Sequence, residues 1–225
     1  MSASYRVRLA TADDADAICR IYNEGIEDRV ATLETELRTP EERAAWLASK
    51  GPRYPVIVAE TTEPIVAEAE PGTISSTNRS PIVAGAEPGT ISNTTGSPIV
   101  AGAEPGTISN SPPTAQAANS AVATIVGWGS LNQFNPREAY RHVVDFSIYV
   151  ERAYRGKGVG KVMLTRLIEL AREQRFHKIV LSAFPSNSGG MALYERMGFR
   201  TVGIYKEQGM LDGRWVDTII MEKLL

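Results

Sequence analysis

Residues 148–161 read Ile148-Tyr149-Val150-Glu151-Arg152-Ala153-Tyr154-Arg155-Gly156-Lys157-Gly158-Val159-Gly160-Lys161. A strand-like run of β-branched and aromatic residues enters a tight turn with glycines at alternate positions, and an amphipathic helix follows. Glycines let the backbone come close to a ligand, and the unpaired N–H groups at a helix start favour an anion. Arg155, Lys157 and Lys161 add positive charge at the same place. The expected ligand therefore carries phosphates. A Walker A loop is excluded, because no Gly-Lys-Ser/Thr stands at the required spacing. A dinucleotide fingerprint wants glycines at one, three and six, on the first strand of a βαβ unit. Here Gly156, Gly158 and Gly160 fall at one, three and five, late in the chain.

The helix after this turn is predicted over 158–174, with Val159, Val162, Met163, Leu167 and Leu170 on one face. A strand is expected at 178–184, a short helix at 190–197 ending at Gly198, and closing strands at 199–205 and 215–224. Before the turn, strands are expected at 6–10, 54–60, 123–131 and 142–150. Thr11 with Asp13, Asp14 and Asp16 supplies cap and first-turn acids to a helix whose apolar face is Ala17, Ile18, Ile21 and Tyr22. Thr39-Pro40-Glu41-Glu42 opens a second helix through Trp46 and Leu47, with proline at a favourable first position. The order β-α-α-β-β-β-α-β-α-β-β is that of a mixed α/β domain. Trp215 is expected in the core or at a dimer contact.

The second and third strands are separated by an internal repeat. PIVAEAEPGTIS at 64–75, PIVAGAEPGTIS at 81–92 and the same twelve residues at 98–109 recur with a 17-residue period. The expected organisation is one α/β body at 1–60 and 123–225, with 61–122 as an inserted low-complexity loop of three copies. Ile and Val are the only large apolar residues in the copies, so a weakly ordered loop and a small β-appendage both remain open. A long surface loop adds little closure cost, which grows only with the logarithm of its length. The chain of 225 residues has 24 Lys+Arg against 26 Asp+Glu, which leaves no global field for nucleic acid or an anionic membrane. Cys19 is the one cysteine, so a disulfide framework and a cysteine-rich zinc site are excluded, and a buried apolar role is expected for it. No metal site is expected. The opening residues lack the apolar core of a signal peptide, and no run approaches the ~20 apolar residues of a membrane span. The expectation is a soluble, cytoplasmic protein.

Arg155-Gly-Lys-Gly158-Val-Gly160 resembles the Arg/Gln-x-x-Gly-x-Gly/Ala signature of the GCN5-related N-acetyltransferase (GNAT) superfamily. Asn187, followed by Ala192-Leu193-Tyr194-Glu195-Arg196-Met197-Gly198-Phe199, resembles its second landmark. Ile21-Tyr22-Asn23, Ala31-Thr32-Leu33-Glu34-Thr35-Glu36, Tyr54-Pro55-Val56, Arg137-Glu138-Ala139-Tyr140-Arg141-His142 and Gly213-Arg214-Trp215 look like the phosphinothricin acetyltransferase family. The stretch IYNEGIEDRVATLETE is most similar to arsinothricin-resistance N-acetyltransferases. The resemblance implies an α/β GNAT fold, with a mixed, mostly antiparallel sheet flanked by helices and the repeats inserted in the hairpin of the second and third strands. It implies an acetyl-CoA-dependent N-acetyltransferase acting on the α-amine of a glutamate-like toxic amino acid, and a homodimer.

The same resemblance implies the site. Ile148, Tyr149 and Val150 would pair with the pantetheine arm, and Arg155, Gly156, Lys157, Gly158, Val159, Gly160 and Lys161 would cradle the pyrophosphate, with Asn187 also on the cofactor. Tyr194 matches the tyrosine that protonates the CoA thiolate. Asp145 stands where the family has a glutamate base, one methylene shorter, so that direct action and action through water both stay open. His142 is the other candidate base, on the opposite face of the strand. Arg137, Tyr140 and Arg141 match substrate contacts, and arginine suits bidentate recognition of an oxyanion. Other acceptors, such as methionine sulfoximine or a peptide amine, and a non-catalytic CoA-binding sensor remain as alternatives.

Overall fold

The computed structural model describes residues 4–62 and 123–225. The repeats at 64–109, and the reading of them as a loop or β-appendage, lie outside the described residues. The elements are β1 (Arg6–Leu9), α1 (Ala15–Glu27), α2 (Pro40–Ala48), β2 (Val56–Thr61), β3 (Thr124–Gln133), β4 (Val143–Val150), α3 (Val159–Glu173), β5 (Lys178–Ala183), α4 (Ser188–Arg196), β6 (Arg200–Leu211) and β7 (Arg214–Leu224). The expected order holds, in a seven-stranded sheet ordered β1-β2-β3-β4-β5-β7-β6. β2 and β3 pair antiparallel up to Thr61↔Thr124, so the segment carrying the repeats connects hydrogen-bonded neighbours.

One pairing departs from antiparallel, and it makes the site. β4 and β5 run parallel and pair only at Val143↔Lys178, Val144↔Ile179 and Asp145↔Val180. Both strands continue beyond this point without each other. Each strand twists, so two neighbours not held by a ladder diverge. Residues 146–150 of β4 are thereby left with a free backbone edge toward β5.

The two sheet faces carry separate cores. Trp128, Val56 and Val58 meet Ile18, Ile21, Tyr22 and Ile26 of α1 on one face. Ile57, Val126, Leu131, Val144 and Ile179 meet Met163, Leu164, Leu167, Ile168 and Ala171 of α3 on the other. Thr39 caps α2 as its sequence predicts: Glu42 N–H donates to Thr39 Oγ1 at 3.2 Å, and Thr39 N–H donates to Glu42 Oε2 at 3.0 Å. Cys19 is buried, as expected.

Three expectations are corrected or narrowed. Val162 is 39% exposed, because the buried stripe of α3 runs through Met163, Leu167 and Ala171. Trp215 is 59% exposed on β7, which removes the core alternative and leaves the dimer contact as the remaining expectation. β6 extends to Leu211, well past 205, and joins β7 through Asp212 and Gly213, at φ 48° and 76°. Two successive positive φ values are what a tight Asp-Gly hairpin turn requires. No helix among the described residues is long and apolar enough to cross a membrane.

Candidate active site

The divergence of β4 from β5 opens a cleft of about 480 Å³. Ile148, Tyr149 and Val150 form one wall; Arg155, Gly156, Gly158, Gly160 and Lys161 form its end. Asn187, Gly189, Gly190, Leu193 and Tyr194 of the α4 region face them, and Gly25, Val30 and Ala31 close the α1 side. Gly156 and Gly158 adopt φ +74° and +93°, which a side chain disfavours. Gly158 is the residue before α3, so this turn presents the first N–H groups of the helix at the cleft. Partial positive charge there, with Lys161 beside it, suits a phosphate.

Arg155 does not hang free over this end. Its Nη1 donates to Asp28 Oδ2 at 2.5 Å and its Nε to the Val150 carbonyl at 3.1 Å. Asp28, just past α1, also takes Arg152 Nη2 at 2.7 Å. Arg152 first, then Arg155, holds the Asp28 carboxyl below its usual range. Lys157 does not line the cleft itself; its ammonium lies 5.7 Å from the ring of Tyr154, which does. The Val159 side chain lies in the core, so its contribution at the turn is its backbone alone. Asn187 accepts from Gly190 N–H at 2.9 Å and caps α4.

Two groups capable of moving protons belong to these elements. Tyr194 stands in the cleft wall with its ring against Phe146 and Phe199, and burial raises its phenol above the ordinary value. Asp145 lies at the last β4–β5 pair, half-buried, and its Oδ1 is buried with no hydrogen-bond partner. Burial pushes its carboxyl up, while the neighbouring Asn132 amide and the Lys50 charge pull the other way. A carboxylate desolvated in this manner is a stronger base than one in water, and its open oxygen can accept a proton.

Arg137, Tyr140 and Arg141 occupy an exposed turn at Glu138–Tyr140 before β4, outside the cleft wall. Tyr140 packs on Phe134, Arg141 pairs with Glu138, and Arg141 Nε donates to His142 Nε2 at 3.1 Å. His142 is thus engaged by its neighbour and likewise stands outside the cleft wall. Among the described residues, no group of three His, Cys, Asp or Glu is arranged to hold a metal ion.

The sequence profile of the acetyltransferase (GNAT) family matches residues 109–199, from ahead of β3 to the end of α4. That part of the chain is similar to the GNAT acetyltransferases. It is similar to the L-methionine sulfoximine/L-methionine sulfone acetyltransferase of Pseudomonas aeruginosa, 35% identical over 105 residues, which are 47% of this chain and 61% of that protein. The matched stretch thus spans less than two thirds of that relative. Phosphinothricin N-acetyltransferase of Streptomyces coelicolor is 22% identical over 224 residues, 100% of this chain and 98% of its own. The solved GNAT phosphinothricin acetyltransferase of Sinorhizobium meliloti, in complex with acetyl-CoA, has the same fold: TM-score 0.68 at 24% identity, covering 100% of this chain and 89% of that one.

Sequence reasoning missed parts of this site. A Cβ on Gly25 would stand 2.8 Å from Tyr149 Cδ1, so α1 reaches β4 only because this position is glycine. Tyr149 in turn stacks on Trp128 at 4.9 Å, which makes its side chain a support under the cleft. Lys50 and Asn132 also escaped notice. A lysine just past a helix reads as solvated, and no local signal marks it otherwise.

Proposed function

We propose that this protein transfers the acetyl group of acetyl-CoA to the α-amine of a small amino acid of the phosphinothricin and methionine sulfoximine type. The observation that carries the reading is the diverging β4–β5 pair, which brings a phosphate-suited helix start, a free strand edge, Tyr194 and Asp145 onto adjoining elements. The pyrophosphate would sit on the N–H groups after Gly158, and the pantetheine would pair with residues 148–150. Acetyl-CoA supplies a thioester carbonyl open to attack by a neutral amine.

An α-amino group has a pKa near 8, so about nine-tenths of it is protonated at neutral pH. Asp145 takes the amine proton, directly or through one water. The amine nitrogen bonds to the acetyl carbon, the carbon–sulfur bond breaks and the Tyr194 hydroxyl donates a proton to the leaving thiolate. The second nitrogen proton, shed as the amide forms, restores Tyr194 through water, and Asp145 returns its proton to solvent. Strand N–H groups of 148–150 polarise the carbonyl oxygen as charge builds on it. The Arg137, Tyr140 and Arg141 turn, a few residues before Asp145 on the chain, would meet the oxyanion side chain of the acceptor. Phosphinothricin and arsinothricin both present such a group, and methionine sulfoximine presents a neutral tetrahedral sulfur instead. The exposed apolar residues Val202, Ile204, Tyr205, Met210 and Trp215 of the β6–β7 hairpin support a homodimer.

Free-thiol release from acetyl-CoA by the purified protein tests this, with L-phosphinothricin, arsinothricin and L-methionine sulfoximine in competition. Acceptor-dependent release, reduced by roughly 10²-fold or more in Asp145→Asn, is expected. Tight acetyl-CoA binding without release for any acceptor would leave a CoA-binding sensor as the better account. No acetyl-CoA binding would end the reading altogether.

A further inference from the structure

On the face of the sheet covered by α1 and α2, Asn132 of β3 lies directly opposite Asp145 of β4. Ser130 and Ser147 form the next pair on the same face. Directly opposed residues have Cβ atoms only ~5 Å apart, so these four polar side chains share one site. Asn132 Oδ1 accepts from Lys50 Nζ at 2.8 Å and from Ser130 Oγ at 2.8 Å. An ammonium has donors and no acceptor, so whatever faces Lys50 must be oxygen. That requirement turns the Asn132 NH2 toward β4, where Nδ2 donates to Ser147 Oγ at 3.1 Å and lies beside Asp145.

Lys50 reaches this position from just past the end of α2, with its ammonium 4.8 Å from the Trp46 ring. Ser130 is wholly buried, and Lys50 has no carboxylate bonded to it directly. Of the charged groups packed on this face, Lys50 acts on Asp145, whereas Arg43 of α2 acts on Lys50 and Glu34 of the α1–α2 connection acts on Tyr22 and Tyr149. Among the described residues, the cation that acts on Asp145 is therefore held at a distance by an amide, and Asp145 Oδ1 is left without a hydrogen-bond partner.

We propose that Lys50, acting through Asn132, is a positioning residue for Asp145: it fixes the amide that faces the carboxylate and supplies the charge that keeps that carboxylate ionised. The catalytic part of this rests on Asp145 being the base. A directly bonded lysine would occupy the oxygen that must accept the proton. One displaced by an amide favours the charged form while leaving that oxygen open. Burial also draws Lys50 down and Asp145 draws it up, as a charge pair separated by a polar spacer should.

The test uses the full chain with carbon-13-labelled aspartate carboxyls, Asp145→Asn assigning the signal. The Asp145 titration is followed in the unsubstituted protein, Lys50→Met and Lys50→Arg. Lys50→Met is expected to raise its proton affinity at least about threefold, and Lys50→Arg, which keeps the charge, to leave it near the starting value. Coincident titrations for all three proteins overturn the proposal. With turnover, the acidic limb of kcat/KM for L-methionine sulfoximine should move to higher pH in Lys50→Met and stay in Lys50→Arg. A rise in acceptor KM with the limb unmoved would make Lys50 a grip on the substrate carboxylate and also overturn it. Absence of turnover in the unsubstituted protein would remove the acetyl-transfer reading, while the titration still decides the coupling.

Discussion

Burial favours the protonated form of Asp145 in the folded chain, so its folded pKa lies above the value of an unfolded aspartate. Between those two values folding takes up a proton, and the stability this group contributes falls as pH rises through the folded pKa. Asp145→Asn removes that penalty. The variant is expected to melt a few degrees above the unsubstituted protein at pH 7, with the gap closing below the unfolded aspartate pKa; calorimetry across pH reads this directly. A gain in stability paired with a loss of turnover is the signature of a group kept for chemistry. Tyr194→Phe should keep the ring contacts with Phe146 and Phe199 and lose only the donor. Its kcat is expected to drop roughly 10²-fold with acetyl-CoA affinity little changed. The sequence offers both residues as candidates because each stands at a fixed place beside a motif. It does not offer Lys50 and Asn132, since their meaning arises from a register that joins β3 to β4 and from the side chain of a residue past α2.

Elements whose ends are written in local chemistry were readable to within a residue or two. Thr39, Pro40 and Glu42 announce the start of α2, and the alternating glycines announce that of α3. The apolar face of α3 was placed correctly except at Val162. At about 100° per residue Val162 falls ~60° to one side of Val159, whereas Met163, Leu167 and Leu170 fall to the other. β6 was cut short because Lys206-Glu207-Gln208 breaks its alternation, and the pairing indeed shifts register between Tyr205 and Gly209. The Asp212-Gly213 pair was the signal that would have extended it. Contact between elements is harder to read, and α1 against β4 shows why. Gly25 sits inside a helix, where glycine costs about 1 kcal/mol relative to alanine, and its reason is the Tyr149 ring. Gly25→Ala should therefore destabilise by about 1–3 kcal/mol despite the better helix former, measured by denaturant unfolding. Because Gly25 and Tyr149 both stand in the cleft wall, acetyl-CoA binding should weaken with it.

At the scale of the whole molecule, the apolar surface of the β6–β7 hairpin bears on assembly. If it is the homodimer contact, Ile204→Asp should convert the sedimenting species from dimer to monomer while the circular dichroism spectrum is kept. The repeats bear on the body differently. The described residues that flank them, 4–62 and 123–225, belong to one compact unit. Within it Thr61 and Thr124 are paired neighbours, so the ends that the repeats connect are already at hairpin distance. Nothing in the sheet therefore requires a long connection. We expect a chain in which residues 63–122 are replaced by a four-residue Asn- and Gly-containing turn to fold to the same sheet and keep the same kcat/KM. Shortening the connection to that length is roughly four halvings, each worth about 0.6 kcal/mol of closure entropy, so a gain of ~2 kcal/mol in unfolding free energy should accompany it. Equal activity with raised stability would make the repeats a passenger of the hairpin. Loss of turnover with the fold intact would mean that they contribute to catalysis or acceptor entry, and the single-body account of activity would have to give way.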